Sequence, residues 1–148
     1  MGREPSDENA LYLMTYELHP DRSDNEDDLE TLVLIHGYGG SGLIFYRILE
    51  DLNKRFKVYL IDLLGMGRSA RPEFEVETFE QCENFFVNSI EIWRQKMGLT
   101  NFVLCGHSFG GYISALYGMQ FYKHIKKLLL LSPHGVVMRE EGREIDRF

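Results

Sequence analysis

A glycine-flanked turn constrains this chain more than any other feature of its sequence. The segment 106–110 (Gly-His-Ser-Phe-Gly) follows an apolar Phe-Val-Leu-Cys run and precedes a helix-forming stretch over 112–121. A sharp strand-to-helix turn needs Gly106 and Gly110, because residues without a side chain let the strand and the helix approach closely. The pattern predicts a nucleophile elbow, with the Oγ of Ser108 presented at the carboxyl end of a buried strand.

Apolar runs and amphipathic segments alternate along the rest of the chain. Thr78 and Gln81 predict a capping box at the start of a long helix, in which apolar residues recur at helical spacing from Phe79 to Met97 before Gly98 ends it. We predict strands over 12–18, 31–35, 58–61, 102–105 and 125–131, and helices over 41–52, 78–97 and 112–121. This alternation predicts an α/β fold with a mostly parallel sheet and helices on both faces, whose site forms at the carboxyl ends of the strands.

Composition and charge narrow the classes of function. The 148 residues suffice for one domain with a sizeable core. The formal net charge of -7 argues against a nucleic-acid partner, which needs a basic stripe, and gives no general attraction to anionic membranes. Cys82 and Cys105 are interpreted as reduced core residues of an intracellular protein. No membrane-length apolar run or signal peptide is visible, and we interpret the start of the chain as a polar terminus rather than as a myristoylation site at Gly2.

A second glycine-rich loop is predicted at the same edge of the sheet as the elbow. It follows the apolar run ending at Ile35 and reads His-Gly-Tyr-Gly-Gly. In acyl transfer by serine, two backbone N–H groups stabilise the oxyanion, and we assign them to Tyr38 and to Phe109, the residue after the nucleophile. His36 is expected to support the loop by hydrogen bonding. Three glycines, Gly37, Gly39 and Gly40, allow the backbone of the loop to approach the substrate oxygen.

No catalytic base is evident among the five histidines. Of these, only His134 lies after the last strand and therefore at the correct edge of the sheet. The usual chain order is Ser, then Asp or Glu, then His, and no acid lies between Ser108 and His134. A complete triad is therefore not predicted.

No metal or cofactor is predicted either. The histidines and cysteines lack the spacing of metal ligands, and neither glycine-rich loop has a full dinucleotide fingerprint. The loop after the 58–61 strand is interpreted as a structural turn in which Asp62 and Ser69 satisfy backbone donors.

Three segments together resemble the α/β-hydrolase fold, over a stretch from about Leu29 to Leu131. They are residues 36–40, residues 62–69 (Asp-Leu-Leu-Gly-Met-Gly-Arg-Ser) and residues 106–111. Within that superfamily, residues 62–72 and 86–94 resemble the subgroup that contains the N-acyl-phosphatidylethanolamine lipase, the lipid-droplet co-activator of triglyceride lipase and related phospholipid acyl hydrolases.

The resemblance implies hydrolysis of lipid or phospholipid esters through an acyl-enzyme at Ser108, or acyl transfer to lysophosphatidic acid. The co-activator lacks the elbow serine, so Ser108 favours the lipase branch. The acyltransferase H-x-x-x-x-D motif, which the family carries late in its sequence, is not found late in this chain.

The family's fold continues past the last predicted strand with a lid, further strands, an acid and a histidine. We therefore divide the chain into residues 1–28, a polar N-terminus with a first strand and an acidic loop, and residues 29–148, the N-terminal half of an α/β-hydrolase domain without lid or C-terminal half. On this hypothesis the sequence is a piece of a longer protein or a shortened paralogue. The last strand would then be an uncovered apolar edge that can pair with a partner.

Two hypotheses of different class follow from the sequence. The first is a serine hydrolase of lipid esters, and the second is a non-catalytic lipid- or protein-binding module, such as a pseudo-hydrolase or lipase co-activator. A peptidase of the same fold shares the elbow, and only the subgroup-like segments speak against it. We expect an intracellular, cytoplasmic protein, with peripheral contact to a lipid droplet, mitochondrion or other membrane left open.

Overall fold

A five-stranded sheet with helices on both sides makes up the described part of the chain. The structure is a computed structural model that describes residues 11–19 and 29–135. The strands are β1 (Thr15–Leu18), β2 (Glu30–Ile35), β3 (Phe56–Ile61), β4 (Phe102–His107) and β5 (Ile125–Leu131). The α-helices are α1 (Leu49–Asn53), α2 (Phe79–Met97) and α3 (Phe109–Phe121), and 3-10 helices cover Gly42–Ile48 and Tyr122–His124.

The strand order places the two glycine-rich loops side by side. The order is β1-β3-β2-β4-β5, with β1 antiparallel to β3 and the other neighbours parallel. In the β2–β4 register, Ile35 lies opposite Gly106. The loop after β2 and the turn after β4 therefore leave the sheet next to each other at its carboxyl edge, where sites form in such sheets. The predicted α/β class and the mostly parallel sheet are confirmed.

Alternate residues of the central strands supply two separate cores. On one face Val33, Tyr59 and Leu104 pack with α2 and α3, and on the other Leu34, Leu60 and Cys105 pack with residues of the first 3-10 helix and α1. A strand covered on both faces is apolar along its whole length, because successive side chains point to opposite sides. The continuous apolar runs in the sequence have this cause.

The boundaries of α2 agree with its sequence signals. The Thr78 side chain accepts a hydrogen bond from the backbone N–H of Gln81, whose side chain in turn caps the N-terminus, and Gly98 ends the helix at a φ of 65°. Phe79, however, is 83% exposed and does not belong to the core stripe. As the first residue of the helix it precedes the turns that contact the sheet.

Several predicted bounds differ from the structure, since α3 begins at Phe109 rather than at residue 112 and β3 begins at Phe56 rather than at residue 58. The strand predicted over 12–18 begins only at Thr15, because the preceding backbone bonds the loop after β3: the Tyr12 carbonyl accepts from Ala70 N–H, and Met14 N–H donates to the Ser69 hydroxyl. The helix predicted over 41–52 is a 3-10 helix followed by the short α1. Its first part is rich in aromatic and β-branched residues, which favour an α-helix only weakly.

Strand β5 forms one edge of the sheet as far as the structure describes it. Leu128, Leu129 and Leu131 are 37%, 46% and 43% exposed. None of the helices in the described ranges has the length and apolar character needed to cross a membrane. The predictions for Gly2, for the acidic loop and for the residues after Gly135 fall outside the described residues.

Candidate active site

Ser108 stands at the junction of β4 and α3 with a strained backbone. Its φ is 53° and its ψ is -118°, a region that residues with a Cβ rarely occupy. Hydrogen bonds hold this conformation from both sides: Ser108 N–H donates to Leu131 O at 3.0 Å, and Ser108 O accepts from the N–H groups of Tyr112 and His134. Strain of this kind persists only where surrounding structure fixes it, and it clusters at functional sites.

Two glycines make the close approach at this junction sterically feasible. A Cβ on Gly106 would lie 2.3 Å from the carbonyl oxygen of Gly110 and 2.4 Å from Ser114 Oγ. A Cβ on Gly110 would lie 2.3 Å from the carbonyl oxygen of His36. Both contacts are far inside van der Waals distance and involve backbone atoms, so neither position has room for a side chain.

The loop after β2 lies directly against Ser108. A Cβ on Gly37 would be 3.1 Å from the Ser108 Cβ, and the Tyr38 ring meets the Phe109 ring edge-on at a centroid distance of 6.2 Å. Gly39 takes a φ of 67°, and Gly40 N–H closes the turn on Gly37 O at 3.1 Å.

The backbone N–H groups of Tyr38 and Phe109, which we assign to the oxyanion, take no part in the hydrogen bonds described above. Within residues 11–19 and 29–135, no backbone hydrogen bond outside the helices and strands uses the N–H of Tyr38 or Phe109. Phe109 opens α3, and the first N–H groups of a helix have no partner inside it. The positive end of the α3 dipole lies at this N-terminus and adds to the stabilisation of a negative charge beside Phe109 N–H.

Two buried side chains, His36 and Asp62, connect the loop after β2 to the segment after β3. His36 is fully buried, its Nδ1 lies 2.6 Å from Gly37 O, and its Nε2 accepts from Leu63 N–H at 3.0 Å. Burial lowers the pKa of His36, against smaller opposing effects of the Gly37 hydrogen bond and the charge on Asp62. The ring is therefore held neutral at pH 7.

Asp62 links the same two segments through its carboxylate. Its Oδ1 accepts from Gly42 N–H at 2.6 Å and its Oδ2 from Arg68 N–H at 2.8 Å. Ser69 Oγ donates to Asp62 O and accepts from Met14 N–H. Asp62 and Ser69 thus satisfy backbone groups, as the sequence predicted.

An apolar cavity of about 290 Å³ adjoins the loop at Tyr38. Its wall includes Leu64, Met66, Phe74, Phe85 and Phe86. Edge-to-face ring contacts connect it to the elbow: Phe74 lies 5.0 Å from Phe85, Phe85 lies 5.1 Å from Phe86, and Phe86 lies 5.2 Å from Phe109, centroid to centroid. This row of rings runs from the cavity wall to Phe109, the residue after Ser108.

The sequence reasoning missed this aromatic wall. Phe74 lies in the loop before α2 and is 50% exposed, and nothing in the local pattern indicates that its ring packs against Phe85 and Phe86. A signal exists at Phe85 and Phe86, because two successive apolar residues widen the core stripe of an amphipathic helix. It also missed the hydrogen bond from the Tyr112 hydroxyl to Glu83, which together with burial raises the pKa of Tyr112 to about 12.

Three histidines lie near the elbow, His36, His107 and His134, but none of their rings is hydrogen-bonded to Ser108 Oγ in the part of the chain that the structure describes. Both ring nitrogens of His36 are engaged by the backbone. His107 Nδ1 is buried without a partner, 3.3 Å from where a Gly37 Cβ would lie. His134 is held beside the elbow by its backbone N–H.

The other two histidines are remote from the elbow. His124 precedes β5, at the opposite edge of the parallel strands. His19 follows β1, with its Nε2 3.9 Å from a Glu17 oxygen. Across the part of the chain that the structure describes, no three His, Cys, Asp or Glu side chains form a group that could hold a metal ion.

Comparison with known proteins places the chain in a family. The sequence profile of the alpha/beta hydrolase fold family matches residues 30–146. Among solved structures, a marine microorganism esterase superposes with a TM-score of 0.67 at 24% identity, over 80% of this chain and 41% of that chain. Cfl2 from Burkholderia cenocepacia superposes with a TM-score of 0.71 at 21% identity, over 90% of this chain and 44% of that chain. At these identities the superpositions show the fold alone.

Curated relatives are more similar in sequence. A probable 1-acylglycerol-3-phosphate O-acyltransferase of Oryza sativa subsp. japonica is 46% identical over 112 residues, 76% of this chain and 27% of the relative. The 1-acylglycerol-3-phosphate O-acyltransferase ABHD5 of Homo sapiens is 39% identical over 84% of this chain and 36% of the relative. The (lyso)-N-acylphosphatidylethanolamine lipase of Homo sapiens is 38% identical over 79% of this chain and 34% of the relative. The chain thus spans only 27% to 36% of the length of these relatives.

Proposed function

The chain belongs to the alpha/beta hydrolase fold family, and from this membership we propose that it carries the nucleophile and oxyanion donors of an enzyme that cleaves lipid or phospholipid esters through an acyl-enzyme at Ser108. The observation that carries the proposal is the strained Ser108 backbone set against the Gly37–Tyr38 loop. A plain glycine-rich turn would need neither the positive φ nor a second glycine-rich loop at the same place.

In the proposed reaction, Ser108 Oγ attacks the ester carbonyl and gives up its proton to a base, for which His134 beside the elbow is the candidate on this chain. The carbonyl oxygen becomes an oxyanion, which the N–H groups of Tyr38 and Phe109 stabilise. Collapse breaks the ester bond, and the alcohol leaves with the proton from the base, so that the acyl group stays on Ser108. Water then releases a fatty acid, or the hydroxyl of a lysophospholipid takes the acyl group.

The lipid character of the substrate is proposed from two observations. The 290 Å³ cavity beside Tyr38 is walled by aliphatic and aromatic side chains, which suit an acyl chain rather than a peptide. Curated relatives carry names of phospholipid acyltransferases and N-acylphosphatidylethanolamine lipases. Exposed Leu43, Ile44 and Tyr46 on the 3-10 helix after the loop support the further proposal of peripheral contact, in the cytoplasm, with a membrane or lipid droplet.

A non-catalytic role is the second candidate. It is favoured by one observation: no imidazole among residues 11–19 and 29–135 is hydrogen-bonded to Ser108 Oγ. Without a base, a serine site retains only the effects of binding and of the oxyanion donors. The chain would then bind lipid in the cavity, or pair with a partner through the exposed edge of β5, without turning substrate over.

Mass spectrometry of the chain after incubation with N-acylphosphatidylethanolamine or with a phospholipid tests the proposal. We expect an acyl adduct on Ser108 that is absent in Ser108→Ala. Fatty acid in the medium identifies a hydrolase, and transfer to added lysophosphatidic acid identifies an acyltransferase; either supports the acyl-enzyme. Lipid that binds equally to both proteins, with no adduct on either, overturns the proposal in favour of the binding module.

A further inference from the structure

The His36 ring bridges two backbone groups of opposite character, and this determines which nitrogen carries its proton. Leu63 N–H, 3.0 Å from Nε2, can only donate, so Nε2 must be unprotonated. Gly37 O, 2.6 Å from Nδ1, can only accept, so Nδ1 must carry the proton. The two partners thus fix His36 as the neutral imidazole with its proton on Nδ1, and exclude both the other tautomer and the imidazolium.

The oxygen that Nδ1–H contacts belongs to the same peptide unit as the proposed oxyanion donor. The Gly37–Tyr38 peptide is planar, so fixing the direction of Gly37 O also fixes the direction of Tyr38 N–H. Gly37 O accepts a second hydrogen bond from Gly40 N–H at 3.1 Å. Two donors on one carbonyl polarise the peptide and make its N–H a stronger donor.

We propose that His36 is a positioning residue: its Nδ1–H tautomer orients and polarises the Gly37–Tyr38 peptide for the oxyanion, and protonation of the ring releases that peptide. The inference rests on the proposed function for the role of Tyr38, but the tautomer and the peptide contact stand independently of it. This arrangement makes the oxyanion loop sensitive to acid, although the group that titrates, the His36 ring, is not in contact with the substrate.

The direction of the acid sensitivity follows from the surroundings of the ring. His36 is fully buried, and the charged group that acts on it is Asp62. Burial lowers its pKa from the ordinary value of 6.5, although the Gly37 hydrogen bond and Asp62 oppose this. The neutral form therefore persists from alkaline pH to below 6.5. On further acidification Nε2 gains a proton, two N–H groups face each other at Leu63, and the ring must move.

Nuclear magnetic resonance of the full chain, labelled with ¹⁵N, tests the tautomer without any variant. We expect the His36 ring nitrogens to show protonated Nδ1 and unprotonated Nε2 at neutral pH. On acidification the Tyr38 and Leu63 amide resonances should shift in the same step as the ring. A ring protonated on Nε2 at neutral pH, or a Tyr38 amide that ignores the ring's titration, overturns the proposal.

A matched pair of variants separates the two contacts of the ring. His36→Asn places a side-chain N–H near the position of Nδ1 but does not reach Leu63, and His36→Gln reaches toward Leu63 without serving Gly37 O. We expect the Tyr38 amide resonance to stay closer to wild type in His36→Asn than in His36→Gln. A merely structural role predicts the same disturbance in both, and that result would contradict the proposal.

The rate at which Ser108 reacts with a fluorophosphonate links the positioning to function. Loss of one oxyanion donor costs about 10²-fold or more in rate, so His36→Gln should approach that loss and His36→Asn should react faster than His36→Gln. Absence of labelling in the wild type would count against the proposed function, while the resonance measurements would still decide the role of His36. Equal rates in the two folded variants would overturn the positioning role.

Discussion

A buried carboxylate joins the elbow helix to its neighbour, and its removal gives a measurable prediction. Glu91 of α2 accepts from Arg94 Nε at 2.9 Å and Arg94 Nη2 at 2.7 Å, and from the Tyr117 hydroxyl of α3 at 2.7 Å. The side chains of Glu91 and Arg94 are only 10% and 9% exposed. Arg94 Nη1 also donates to Leu99 O at 2.6 Å, at the end of α2.

The cost of neutralising this carboxylate can be worked out from its environment. Hydrogen bonds from Arg94, and then from Tyr117 and Gln95, outweigh burial and lower the pKa of Glu91 from 4.5 to about 2. At 1.36 kcal/mol per unit, the difference corresponds to about 3 kcal/mol of stability. Breaking a buried ion pair by removing one partner costs a similar amount, about 3–5 kcal/mol. We therefore expect Glu91→Gln to lower the free energy of unfolding by about 3 kcal/mol at pH 7.

Urea denaturation followed by the fluorescence of Trp93, the single tryptophan, measures this loss. Because the folded pKa is depressed, the contribution of Glu91 is fully present above pH 4.5 and disappears as pH falls toward about 2. The difference between wild type and Glu91→Gln should shrink across that window. The matched control is Glu50→Gln, which removes an exposed ion pair with Lys54 and should have little effect. A difference that does not change with pH, or one no larger than the control's, would refute the reasoning.

Three further substitutions test local features of the fold. Gly110→Ala puts a Cβ 2.3 Å from the His36 carbonyl oxygen, so we expect loss of soluble protein or a collapse of the thermal midpoint, and an unchanged midpoint would contradict the tight junction. Thr78→Ala removes the hydrogen bond to Gln81 N–H and should cost about 1 kcal/mol in urea denaturation, whereas no change would mean that the capping box is not formed in solution. Gly98→Ala meets no atom within 4 Å but must adopt a φ of 65°, so about 1 kcal/mol is expected by the same assay, and a gain in stability would rule out the left-handed cap.

The sheet and the turn at Ser108 were predictable because local sequence determines them. Apolar runs specify strands covered on both faces, and the glycines beside Ser108 meet a steric requirement that few other turns impose. The same reasoning placed the segment 36–40 at the same edge of the sheet as the elbow, since the carboxyl ends of parallel strands meet at one edge. It also assigned Asp62 and Ser69 to backbone support, which the structure confirms.

Features that depend on packing between distant segments were not predictable. The cavity wall combines the loop after β3 with α2, and no local pattern encodes that meeting. Glu91 and Arg94 look like solvent-exposed residues on a helix, and only the packing of α3 against α2 buries them around Tyr117. The first predicted helix failed for a related reason, because Phe45 alone of its opening apolar residues is buried by the sheet.

Reaction of the chain with a fluorophosphonate probe, beside its Ser108→Ala variant, tests the central claim most directly. Ser108 is proposed as a nucleophile with two oxyanion donors, so the account predicts that the wild type is labelled, that peptide mapping places the label on Ser108, and that the variant is not labelled. Circular dichroism and a cooperative urea transition establish that both proteins are folded. A folded wild type that stays unlabelled, or a label of equal extent in the variant, would contradict the account.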